Sequence, residues 1–200
     1  MIYKLAHFFQ AHLAFLWNSI EYVNAWLFKI RYGQKVQEIA PTILAQYPQT
    51  YAVSPADIPA LESFFSKQPA EAFEYFKPHD FDEKTLLRLA KNPSFLMYMV
   101  KDGDEIVGYF FLRSFFMGKS FLGKMVDFQS QGKGIGKKMC CCAMDLASAI
   151  GLKMFETISK DNLASLYSTQ NVLEVRIIKE MSNNYIYIED VRKKSGIHLR

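Results

Sequence analysis

Cysteine is scarce and badly placed for chemistry: the chain has 3 cysteines, and they are the consecutive Cys140, Cys141 and Cys142. Helical neighbours one residue apart point in different directions, so the trio cannot converge on one metal ion. With no second cluster, neither a zinc site nor a disulfide framework is supported. The three read as small apolar core residues of a protein in a reducing, cytoplasmic setting. Charge of one sign is lacking too. A net charge of +4, with basic residues gathered only locally, argues against a nucleic-acid partner. No repeat or low-complexity stretch is present. Nor is there an uninterrupted apolar run, because His7, Gln10, His12, Asn18, Glu21 and Asn24 punctuate the hydrophobic segment Leu5 to Ile30. Such interruption argues against a membrane span, and no small-residue cleavage site marks a signal peptide.

On a helical wheel His7, Gln10, Asn18, Glu21 and Asn24 gather on one side of that segment. Phe8, Phe15, Ile20, Val23, Trp26 and Ile30 cover the opposite arc. Three readings stay open. The helix packs on its own domain or on a second copy of the chain, it lies in a membrane interface anchored by Trp17, Trp26, Lys29 and Arg31, or it spans.

What the chain does have is ordinary globular composition, 50% hydrophobic and 22% charged, and a length suited to one α/β domain with an appendage. Its most specific feature is Gln131-Gly132-Lys133-Gly134-Ile135-Gly136-Lys137-Lys138. A strand over 121–128 precedes it, and a helix to about Ile150 follows. Glycines at alternate positions remove side chains where backbone must bend and approach a ligand. The free N–H groups and dipole of the following helix favour an anion, and Lys133, Lys137 and Lys138 add charge. A phosphorylated ligand is expected there.

Spacing excludes two of three glycine-rich phosphate motifs. A P-loop needs glycine where Gln131 stands and a hydroxyl where Lys138 stands; a dinucleotide fingerprint starting at Gly132 needs glycine at Lys137. The pattern that fits is Q/R-x-x-G-x-G/A, read as Gln131 to Gly136. It resembles the acetyl-CoA-binding motif of the GCN5-related N-acetyltransferase (GNAT) superfamily. Downstream, Asn162-Leu163-Ala164-Ser165-Leu166-Tyr167 is similar to that family's N-x-x-A-x-x-Y segment, and the interval between the two leaves room for one helix and one strand.

The resemblance covers roughly Gln49 to Val191. It implies the GNAT-type α/β fold, a mixed and mostly antiparallel central sheet flanked by helices. The chain then divides into a hydrophobic, amphipathic helical extension over 1–45 and an acetyltransferase domain over 46–200. The expected order is a short strand near Thr50, helices after Ser54 and near Asp82, and strands over 94–101, 105–115 and 121–128. The glycine-led helix, a strand over 153–158, a short helix from Asn162 and a hairpin over 173–191 follow. On the long helix Ile135, Met139, Cys142, Leu146 and Ala149 are placed on one face.

By the same resemblance the bound cofactor is acetyl-CoA. Val126 contacts its pantetheine arm, and backbone N–H groups from Gly132 through Lys137 surround its pyrophosphate. Asn162 helps hold the pantetheine. Tyr167 places its hydroxyl near the sulfur, where a phenol can give a proton to a departing thiolate of similar basicity. The acceptor is a small-molecule primary amine that attacks the thioester directly. For the general base, Asp127 and His79 are the candidates. The segment around His79, with Lys179 to Tyr185, is similar to acetyltransferases associated with bacterial surface polysaccharides, which implies an amino-sugar acceptor. No metal is expected. Asn171-Val172 stands where the family has a glycine and an aromatic, and a left-handed Asn171 is expected to end the helix. The alternative is a non-catalytic acyl-CoA-binding or membrane-associated assembly protein.

Overall fold

The computed structural model describes the backbone of residues 2–196 and the side chains of residues 19–196. The side-chain pattern expected for His7 to Asn18 lies outside the described residues. Helix α1 spans Ile2–Leu44, continuing well past Ile30, and strand β1 is Thr50–Ala52. Ser54 and Asp57 form a capping box that leads through one 3-10 turn into α2, Ile58–Ser66. Helix α3, Glu83–Ala90, starts on Asp82, whose side chain accepts from the Thr85 N–H at 3.0 Å. Strands β2 (Phe95–Asp102), β3 (Glu105–Phe115) and β4 (Lys119–Val126) make a meander, then α4 covers Ile135–Ile150. Strand β5 (Lys153–Ser159), helix α5 (Leu163–Gln170) and the hairpin β6 (Leu173–Glu180) and β7 (Tyr185–Lys193) complete the chain.

These strands form one sheet in the order β1-β2-β3-β4-β5-β7-β6. Every pairing is antiparallel except β4 with β5. Alternation along the central strand β3 feeds two cores. Phe110 and Leu112 face α4 and α1, whereas Tyr109 and Phe111 face α2 and α3 in an aromatic-rich layer. Ile58, Leu61, Phe64 and Phe65 of α2 are all buried there.

Three local expectations change. Strand β4 starts and stops two residues earlier than the sequence pattern indicates, and Phe128–Ser130 forms a 3-10 turn instead. Helix α4 is not buried on one face but over most of its circumference: Cys140, Cys141, Cys142, Ala143 and Ala147 are all buried while Ala149 is exposed. The reason is that α1 lies on the side of α4 that a single-layer helix would give to solvent. Finally Asn171 is right-handed (φ −71°) rather than left-handed, and its side-chain amide donates to the Tyr167 carbonyl at 2.7 Å, closing the last turn of α5.

Helix α1 docks with its polarity reversed. Asn24 donates to the Ser114 carbonyl at 3.0 Å and accepts from the Phe116 N–H at 3.0 Å. Glu21 pairs with Arg113, and Phe28 and Tyr32 are buried. Ile20, Val23, Trp26 and Ile30, the residues a wheel assigns to a buried face, point outward.

Candidate active site

Strands β4 and β5 pair in parallel only at Lys119–Lys153, Ser120–Met154 and Phe121–Phe155. Beyond Phe121 and Phe155 no pairing joins them, and a cleft of about 600 Å³ opens between their C-terminal halves. An unpaired strand edge presents backbone donors and acceptors to an extended ligand. Val126 ends β4 at the cleft, opposite Gly108 of β3.

The glycine turn closes one end. Gly132 and Gly134 have φ values of 78° and 82°, which a side chain disfavours. A Cβ on either would meet nothing within 4 Å, so open space surrounds the bend. Gly134 caps α4, and the first amide with a helical acceptor is that of Lys138, which donates to the Gly134 carbonyl at 3.0 Å. The amides of Ile135, Gly136 and Lys137 therefore lead the helix without one. Gln131, Gly132, Gly134, Ile135, Gly136 and Lys137 all line the cleft. Lys133 does not; it lines a separate hollow on the other side of the turn. Lys138 is turned away to the Pro48 carbonyl, and burial lowers its pKa.

Asn162 caps α5, its side-chain oxygen accepting from the Ser165 N–H at 3.0 Å, which leaves its amide group at the cleft wall. One turn on, Tyr167 is 63% exposed and lines the cleft. The Lys137 ammonium lies 4.6 Å from its ring centroid, a cation–π contact that orients the phenol. Both predicted motifs thus meet across one opening.

The two base candidates do not line it. Asp127 accepts from the Gln68 side-chain amide at 2.9 Å, and Gln68 in turn accepts from the Phe128 N–H at 2.9 Å, a clamp on the strand end. His79 stands among Phe81, Phe95, Tyr109 and Phe111. Its Nδ1 lies 2.8 Å from the Asp80 carbonyl, which only accepts, so Nδ1 carries the proton. Its Nε2 faces the buried Tyr109 hydroxyl at 3.3 Å. Burial lowers the His79 pKa and favours this neutral form.

Other cleft residues went unnoticed in the sequence. Gly123 sits under the Phe111 ring, where a Cβ would fall 2.3 Å from Cζ. An isolated glycine inside a strand is the signal that could have found it. Beside it Lys124 and Glu156 form an ion pair across the splay, with side chains 7% and 3% exposed. Thr169 joins them, accepting from Lys124 at 2.9 Å and donating to Glu156 at 3.1 Å. Burial works against the Lys124 charge, but the Cys140 sulfur and the Glu156 carboxylate more than offset it and hold its pKa above the ordinary lysine value. Burial pushes the Cys140 thiol itself up to about 12. On the α2 side the opening is bordered by Glu71, Tyr75, Phe76 and Phe128.

Neither a protein-family model nor a curated protein matches the sequence. Solved structures do match. The GNAT domain of S. lividans PAT superposes with a TM-score of 0.62 at 12% identity, over 71% of this chain and 89% of that one. The chain has the GNAT fold. AAC(6')-Ib, solved with paromomycin and acetyl-CoA, matches at TM-score 0.56 and 16% identity, over 72% and 93% of the two chains. The ribosomal-protein-S5-alanine acetyltransferase of Vibrio fischeri matches at 0.57 and 14%, over 74% and 94%.

Proposed function

We propose that this chain is an N-acetyltransferase that moves an acetyl group from acetyl-CoA to a primary amine. The observation that carries the reading is the parting of β4 from β5 at Phe121 and Phe155, with the glycine turn at one end of the opening and Tyr167 inside it. A pantetheine arm fits the free edge of β4 as an added strand, and the leading amides of α4 suit its pyrophosphate. Acetyl-CoA brings an activated thioester; the chain's own residues hold and orient it. Asn162 turns its amide toward the arm, and the Tyr167 hydroxyl stands ready to give a proton to the departing sulfur.

The acceptor enters from the α2 side. Of the two carboxylates that line the cleft, Glu156 is engaged by Lys124, which leaves Glu71 to attract an ammonium group and to receive its proton. Tyr75, Phe76 and Phe128 beside it offer flat faces for a sugar ring. An amino sugar carried on a nucleotide or polysaccharide precursor satisfies both requirements.

The test follows free thiol release from acetyl-CoA with amino-sugar nucleotides, aminoglycosides and polyamines as acceptors. We expect turnover with at least one amino sugar, and a loss of ~100-fold in kcat for Tyr167→Phe with acetyl-CoA affinity retained. No turnover with any amine, despite calorimetric binding of acetyl-CoA, would leave a non-catalytic acyl-CoA binder.

A further inference from the structure

Between Ser19 and Gln37, helix α1 presents two unlike faces. The inward face is fixed by Glu21 on Arg113, by Asn24 on Ser114 and Phe116, and by the buried Phe28 and Tyr32. Outward stand Ile20, Val23, Trp26 and Ile30, exposed by 60%, 51%, 58% and 65%. Their spacing of three, three and four residues makes one stripe along the helix. The β3–β4 turn extends it: Met117 is 67% exposed, and Arg31 Nη1 donates to the Phe116 carbonyl at 3.1 Å, fastening that turn to the helix.

Charge around the stripe is mostly positive. Lys29, Arg31 and Lys35 are exposed; of the acids, Glu21 is turned inward and paired, and Glu38, exposed one turn further on, accepts from the Gln34 side-chain amide at 2.9 Å. An apolar stripe with aromatic members and cations at its margin matches an anionic lipid headgroup layer. A second copy matches less well, because its same face would offer three exposed cations only one exposed acid, Glu38. We infer that α1 and the β3–β4 turn lie flat on an anionic membrane surface. Strand β4 runs from that turn to the glycine turn, so docking engages the opposite end of the sheet and leaves the cleft mouth in solvent. The inference does not depend on which reaction the cleft performs.

The experiment uses the full chain and two vesicle preparations, phosphatidylcholine alone and phosphatidylcholine mixed with phosphatidylglycerol. We expect sedimentation with the anionic vesicles, weakened by added salt. The chain has 2 tryptophans, so a Trp17→Phe background lets Trp26 report, and its emission should shift to the blue on binding. Trp26→Glu combined with Ile30→Glu should lower partitioning by at least about ten-fold, and Lys29→Gln with Lys35→Gln should remove the preference for anionic lipid. These positions are exposed, and an unchanged thermal transition verifies that the variants fold. Absence of binding to anionic vesicles would overturn the inference. So would concentration-dependent dimerisation in sedimentation velocity that Trp26→Glu abolishes, which would assign the face to a second copy.

Discussion

At Lys124 a charged side chain is held where almost no water reaches it, and the chain answers that cost with two carboxylates. Glu156 pairs with it directly. Asp190, 2% exposed on β7, finds no hydrogen-bond donor for either oxygen, and its carboxyl neighbour is Glu156. Two carboxylates in contact bond only if one proton lies between them. Burial, and then the Glu156 charge, push the Asp190 pKa up to about 9, so the shared proton belongs there. Lys124, Glu156 and protonated Asp190 then sum to no net charge under the cleft floor. Removing one member exposes the imbalance. Lys124→Met should destabilise the fold by about 3–5 kcal/mol in urea titration, and adding Glu156→Leu should recover part of that loss. The pH sign follows from the direction of the Asp190 shift. A pKa raised from 3.8 to about 9 contributes stability that is complete below 3.8 and is lost as pH rises toward 9. Asp190→Asn should therefore flatten the fall in melting temperature between those limits. An unchanged slope would show that Asp190 is ionised in the folded chain.

Elements show why some of this was legible in the sequence and some was not. The glycine turn is local: its bend and its leading amides lie within one short run, and the structure places that run on the cleft except for Lys133 and Lys138. Capping at Ser54 and Asp82 is local as well: the 3-10 turn that leads into α2 starts at the first, and α3 starts at the second. Helix α1 misleads because its partners are remote. Asn24 and Glu21 look like a solvent face until Arg113 and Ser114 of β3 and Phe116 of the turn after it arrive to satisfy them. The partners of Asp127 and His79 were out of local reach for a related reason, since Gln68 and Tyr109 come to them from distant segments. Gly136 joins both kinds of information. It belongs to the readable motif, yet a Cβ there would stand 3.2 Å from the Ser168 Cβ, so it also sets how closely α4 and α5 approach. Gly136→Leu would push α5 outward and carry Tyr167, the residue before Ser168, away from the splay. Acetyl-CoA affinity and kcat should each fall about ten-fold or more, read by calorimetry and thiol release. Gly132→Ala meets none of the protein's own atoms, so backbone strain should cost about 1–2 kcal/mol of stability, and because the freed space lies on the cleft, acetyl-CoA affinity should fall while kcat stays nearly intact.

For the whole molecule the question is where the folding unit begins. The sequence resemblance starts near Gln49 and makes the first 45 residues an appendage, but the larger of the two main cores does not respect that boundary. Phe28, Tyr32 and Ala40 of α1 are 0%, 5% and 8% exposed against α4 and the sheet. Past the helix end, the Tyr47 hydroxyl donates to Asp145 of α4 at 2.6 Å, and Lys193 of β7 reaches the same carboxylate at 2.7 Å. Helix α4 packs against α1 within this same core, so removing α1 would open part of that core to water. Truncating a buried phenylalanine alone costs about 3–5 kcal/mol, and a domain of this size has only about 5–15 kcal/mol in total. Deleting residues 1–45 should therefore abolish the cooperative thermal transition and drive the remaining chain into aggregates. A soluble 46–200 fragment that melts at the temperature of the full chain would show that α1 is an ornament on an independent domain. Phe28→Ala in the full chain separates the contributions: it should lower stability by that same cavity cost, while an exposed change such as Trp26→Glu should leave the melting temperature where it was.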